Sequence, residues 1–158
     1  MARLRERFDP SAALGMPAHI TLLYPFMPPE LMGAAVLQQV RAAVAGTCGF
    51  AFSLARVDRF PGVLYLAPEP ASPFIELTRL LAHEFPEFPP YGGRYEAIVP
   101  HLTVAQAGGA EQSHAEAELL SSLSGSAGIA CSCSELVLME NAAGRWEPMH
   151  VFPLAPRH

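Results

Sequence analysis

Apolar and polar residues alternate along AHITLLY at residues 18–24 and again along IVPHLTVA at residues 98–105. A period of two in β-forming residues predicts a strand at each. Between and after them the period changes. Residues 3–8 read as the end of a helix, stopped at Asp9-Pro10. Residues 30–45 predict a helix with Leu31, Ala35, Leu37 and Val40 on one stripe and Gly46 at its close. Phe50, Phe52 and Leu54 alternate with small or polar residues, Pro61-Gly62 is a turn, and residues 63–66 form a second strand, which together predict a hairpin. Residues 73–84 predict a helix through Phe74, Leu77, Leu80 and Leu81, followed by the proline-rich loop FPEFPPYGGRYEA. A third helix is expected over residues 111–123, then strands over 129–140 and 145–154 with a turn at 141–144.

The order β-α-β-β-α followed by β-α-β-β is a duplication at the level of elements. It predicts an α+β fold of two lobes within one domain, residues 1–158, each lobe an antiparallel sheet with helices on one face.

Each half opens with His-Φ-Thr-Φ, HITL at His19 to Leu22 and HLTV at His101 to Val104. Side chains alternate across a strand, so His and Thr share one face and the apolar pair takes the other, toward a core. The polar face then needs water, a cleft or a ligand. Two imidazoles and two hydroxyls around one volume suit phosphate-ester chemistry. One histidine, neutral, removes a proton from the attacking water or hydroxyl, and the other, protonated, supplies one to the leaving oxygen. The hydroxyls of Thr21 and Thr103 donate to phosphate oxygens where charge develops. This chemistry needs no metal and no cofactor.

Composition narrows the partner. The chain has 158 residues, 51% hydrophobic and 16% charged, with a net charge of −5. That is enough apolar material for a core, and it carries no basic excess of the kind that grips long nucleic-acid backbones. A pocket for one or two phosphates remains open. Cys48, Cys131 and Cys133 are an odd set without a secretory leader, which points to reduced thiols in a cytoplasm. No apolar run is long enough to span a membrane, and no phosphate-binding glycine loop or Gly-x-Ser-x-Gly elbow is present.

At these residues the chain resembles the two-histidine (2H) phosphoesterase superfamily of 2′-5′ RNA ligase-like proteins and cyclic phosphodiesterases. The likeness runs from about Gly15 onward, through HITLLYPF, RFPGVLYLAPEP, VPHLTVAQ and MHVFPL. It implies a bilobal, pseudo-two-fold fold with the two motifs in a central cleft. It also implies metal-independent opening of a 2′,3′-cyclic phosphate, or 2′-5′ ligation, on an RNA end or small nucleotide. His19 takes the acid role and His101 the base role, and Thr21 and Thr103 match the phosphate-binding positions. The family has an apolar strand and a helix ahead of the first motif. RLRERFDP is similar to the end of that helix, so the strand is expected to be missing. An unprotected sheet edge would then invite pairing of two copies.

Around the motifs, Tyr24, Phe26, Tyr91 and Tyr95 are candidates to stack on a base, with packing as the alternative for each. Arg94 and Arg145 could reach a phosphate. Trp146 and His150 are expected to share a strand face and pack. His83 and His114 are expected on helix surfaces, and His158 ends the chain. Two rival readings remain: a module that binds a nucleotide or RNA end without turnover, and a metal-dependent hydrolase. The second is disfavoured because neither motif has the His-x₃-His or carboxylate cluster such sites use.

Overall fold

Pro61 and Gly62 join β1 (Phe50–Phe60) to β2 (Val63–Glu69) in the expected hairpin. Gly62 has φ +75°, the conformation that favours glycine after proline in a tight turn. The computed structural model describes residues 1–157; His158 lies outside the described residues. The chain divides into two compact units, each assembled from three segments.

The first unit comprises Met1–Ile20, Phe52–Pro70 and His101–Cys131. Its sheet has the order β3-β2-β1-β4, with β3 at Leu102–Gln106 and β4 at Ile129–Cys133. β1 pairs antiparallel with β2, and β2 with β3. Three helices belong to this unit: α1 (Ala2–Phe8), the short α2 (Pro10–Ala13), which the pattern did not predict, and α5 (Gly109–Leu123). α1 packs on β3, and α5 packs on β2 and β3. The core gathers Leu4, Leu54, Leu64, Leu66, Leu102, Val104 and Leu119, all nearly or fully buried. Leu102 and Val104 are therefore the inward pair of the second motif, as alternation requires. Arg7–Glu118 and Arg59–Glu116 ion pairs tie the surface of α5 to the unit.

The second unit takes Thr21–Ala51, Ala71–Pro100 and the segment from Ser132 onward. It holds α3 (Ala34–Val44), α4 (Ser72–Glu84) and an antiparallel pair, β5 (Glu135–Glu140) and β6 (Glu147–Pro153). Its core centres on Val44, Leu77, Leu81, Phe85 and Phe152. Both cores and both sheets fit the α+β reading.

Four expectations need correction. Residues 18–24 form no strand, and no helix or strand occupies residues 14–28. Alternation makes a strand only where a neighbour offers a ladder, and no described strand pairs with this stretch. Its apolar residues also go different ways: Ile20 packs on the first core, while Leu22 and Leu23 pack on the second. The helix expected over 30–45 is a short 3₁₀ turn, Pro29–Leu31, and then α3, because Gly33 takes the extended N-cap conformation. The long strand over 129–140 is two strands in two sheets, broken at Ser134. The second-motif strand begins only at Leu102, so His101 stands one residue before it.

Candidate active site

A buried ion pair, rather than a strand, holds the approach to the first motif. Arg5 on α1 donates from Nε and Nη2 to Oδ2 of Asp9 at 3.0 and 2.8 Å. Both residues are buried, at 5% and 2% exposure. Oδ1 of Asp9 accepts from the backbone N–H and the hydroxyl of Ser11 and so caps α2. Nη2 of Arg5 also donates to the Met16 carbonyl at 3.0 Å. Just beyond, Nδ1 of His19 donates to the Pro17 carbonyl at 2.8 Å. A carbonyl only accepts, so Nδ1 carries the hydrogen and Nε2 of the neutral ring keeps its lone pair.

Burial pushes the pKa of His19 below the usual histidine value. The Pro17 carbonyl works against this, Arg5 adds to it, Asp9 opposes it, and the charge of His101 adds to it. His19 and His101 are therefore in electrostatic reach of one another within the first unit.

Two rings fix His101. Phe60 meets it edge-on, with centroids 5.1 Å apart at 88°, and Tyr65 lies 5.4 Å away. Phe60 and Tyr65 stack in turn at 4.5 Å. Tyr65 is buried, and its hydroxyl bonds to Asp58. Burial first, then the Asp58 carboxylate, raise its pKa, so the phenol stays protonated. Thr103 lies opposite Tyr65 in the β2–β3 register and is half-buried.

Within the second unit, Tyr24, Pro25, Tyr91, Gly92, Arg94 and Tyr95 enclose a hollow of about 330 Å³. A neighbouring hollow of about 280 Å³ shares Tyr91 and Tyr95, and it is lined by Thr21 and Leu22 of the first motif and by Thr78 and Arg79 of α4. Tyr91 has φ +52°, uncommon for a residue with a side chain, and its N–H donates to the Tyr24 carbonyl at 2.6 Å. Its ring meets Tyr95 at 5.9 Å and 81°. Burial, and then Tyr95, raise its pKa. The structure thus brings together Tyr24, Tyr91, Arg94 and Tyr95 from among the residues expected to contact substrate. Phe26 lines neither hollow: it is half-buried and packs edge-on against Phe85 and Phe88 at 5.0 and 5.6 Å, on the edge of the second core.

The other residues singled out in the sequence lie as follows. Trp146 precedes β6 rather than lying on it, and packs against Tyr24 at 6.4 Å. His150 bonds to Arg41 at 3.0 Å and its ring lies on Phe152. Arg145 and His83 are exposed. His114 is exposed and lies 3.9 Å from Glu118. Among the described residues no three His, Cys, Asp or Glu side chains converge on a point that could hold a metal ion. No described helix is long and apolar enough to cross a membrane.

Sequence reasoning missed Arg5, Asp9, Phe60 and Tyr65. The i,i+4 spacing of Arg5 and Asp9, with Asp-Pro-Ser after it, was the available signal for the first pair. Phe60 and Tyr65 meet His101 only through the sheet register, which no local pattern encodes.

A profile of the 2′-5′ RNA ligase superfamily matches residues 1–145, and the chain belongs to this family of 2H phosphoesterases. A Bacillus cytotoxicus protein with a provisional phosphoesterase name is 36% identical over 106 residues, 65% of this chain and 59% of that protein. A Bacillus pumilus protein with a similar name is 33% identical over 106 residues, 65% and 58% of the two chains. The matched region thus spans about three-fifths of these curated relatives. Among solved structures, TT0787 of Thermus thermophilus aligns with a TM-score of 0.60 at 18% identity, covering 90% of this chain and 82% of its own. Escherichia coli LigT aligns at 0.58 and 19%, covering 98% and 92%, and LigT has also been solved with 3′-AMP. These likenesses establish the fold.

Proposed function

We propose that this chain is a phosphoesterase that opens a 2′,3′-cyclic phosphate, or makes and breaks a 2′-5′ phosphodiester, on an RNA end or small nucleotide. His19 and His101 form the acid–base pair. The observation that carries this reading is the pairing of His19, whose pKa is lowered and whose Nε2 is an acceptor, with His101 in electrostatic reach. Family membership supports it.

In the hydrolytic direction water attacks phosphorus and gives its proton to the base. The P–O3′ bond breaks, the acid protonates O3′, and a 2′-phosphate remains. A histidine held neutral suits the base. We therefore cast His19 as base and His101 as acid, the reverse of the roles the resemblance implies. Thr103, in the same unit as both histidines, donates to a non-bridging oxygen. In the second unit, Tyr24, Tyr91 and Tyr95 are our candidates to stack on a nucleotide base. The binding of 3′-AMP by LigT supports a nucleotide ligand.

The test is turnover of 2′,3′-cyclic nucleotides and 2′-5′-linked dinucleotides, followed by phosphorus NMR. Loss of about a hundredfold or more is expected in both His19→Ala and His101→Ala. Binding without product across this panel would instead identify a module that only holds nucleotides. A nitrophenyl phosphodiester, whose leaving group needs no acid, should restore His101→Ala and leave His19→Ala inactive; the opposite result reverses the roles.

A further inference from the structure

We infer that Arg5 and Asp9 are positioning residues for His19, replacing the strand ladder that residues 18–24 lack. The inference rests on the acid–base reading of His19 given above. Its geometry is local and complete. Asp9 fixes the Arg5 guanidinium through Oδ2, at 3.0 and 2.8 Å, and fixes the start of α2 through Oδ1. Nη2 of the same guanidinium also donates to the Met16 carbonyl at 3.0 Å and reaches the Ser11 hydroxyl at 3.5 Å. The next carbonyl along the chain, on Pro17, accepts the hydrogen of His19 Nδ1.

Consecutive carbonyls are thus pinned, one by Arg5 and one by the histidine itself. Nothing else of regular structure lies between α2 and the 3₁₀ turn at Pro29 to hold the ring. A planar fork can bridge a carboxylate and a backbone carbonyl at once, which a lysine ammonium does with poorer geometry. Both residues are too buried to serve as solvated surface charge.

The pair also acts on His19 through space. The titratable groups that act on the ring electrostatically are Arg5 on α1, Asp9 at the α1–α2 junction and His101 ahead of β3. Arg5 disfavours the imidazolium and Asp9 favours it. A pair that served only to hold the fold together would let both variants drift alike toward the free-histidine value.

The experiment compares Arg5→Met and Asp9→Asn with the wild type. It reads kcat and KM on a 2′,3′-cyclic nucleotide, and the His19 titration by NMR. We expect kcat to fall about tenfold or more in each, with KM little changed, as befits a displaced reacting group. We expect His19 of Arg5→Met to titrate above His19 of Asp9→Asn. Equal titration curves in the two, or wild-type kcat in both, would overturn the proposal. If either variant fails to fold, Arg5→Lys replaces it: lower kcat with a shifted His19 resonance supports the proposal, and wild-type values of both overturn it. The NMR readout needs no turnover. A chain that hydrolyses nothing but still shows the two shifts would sink the acid–base reading and leave the positioning intact.

Discussion

His19 donates its Nδ1 hydrogen to the Pro17 carbonyl two residues earlier, at 2.8 Å. One contact within a tripeptide thereby selects the tautomer and aims Nε2 away from its own backbone. The pH dependence of turnover follows from it. With His19 as base, kcat/KM should rise with pH through a pKa below the ordinary histidine value, then fall as the acid loses its proton. His19→Gln should abolish the acidic limb. An acidic limb that survives in His19→Gln would show that another group titrates there.

Stability carries the same signature with a definite sign. The folded pKa of His19 lies below its usual value of 6.5. The unfolded chain therefore binds a proton first as pH falls, and this contribution to stability is present above about 6.5 and is lost below it, down to the folded pKa. Urea unfolding from pH 7.5 to 5 should show His19→Gln losing less stability than the wild type. Parallel curves would contradict the half-buried, neutral state.

Phe60 is expected to matter to catalysis without touching phosphate. It meets His101 edge-on, so Phe60→Leu, which keeps much of the volume and loses the ring, should lower kcat about tenfold while KM changes little. Steady-state kinetics beside a thermal melt separate this from simple loss of fold.

Tyr91 and Tyr95 wall both hollows. If they stack on a base, Tyr91→Ala and Tyr95→Ala should each raise KM about tenfold, in line with about 1–3 kcal/mol per stacked base. An unchanged KM for a nucleotide, alongside a folded protein, would remove these rings from substrate binding.

Gly128 has φ +95°, and a Cβ there would lie 2.5 Å from the Cβ of Ala55 and 2.9 Å from the Leu54 carbonyl oxygen. Gly128→Ala should therefore destabilise the chain by about 1–3 kcal/mol. Chemical denaturation measures it directly.

The hairpin, the two long helices α4 and α5 and the second motif strand were legible because each satisfies its own period. Leu102 and Val104 turn inward beside Thr103 as alternation requires. The first motif was misread for a physical reason. HITLLYP alternates as well as any strand, but alternation describes what a ladder would bury and not whether a ladder exists. Phe26 is ambiguous for the same kind of reason: an aromatic beside a motif suits a base or a core, and its ring lies against Phe85 and Phe88. The tyrosine hollow was legible as composition, in PYGGRY, and its shape was not.

The two histidines differ in how far along the chain their supports lie. His19 bonds to the Pro17 carbonyl, and the Arg5–Asp9 pair that holds the adjoining Met16 carbonyl also lies close to it in sequence. The rings that hold His101 come from Phe60 and Tyr65, across the sheet. Local contacts cost less chain entropy to close than distant ones. The near supports of His19 still depend on distant packing, because α1, which carries Arg5, docks on β3 and buries Leu4 with Leu102 and Val104. One sheet thus underlies the surroundings of both histidines: β3 backs α1 and also follows His101 directly in the chain.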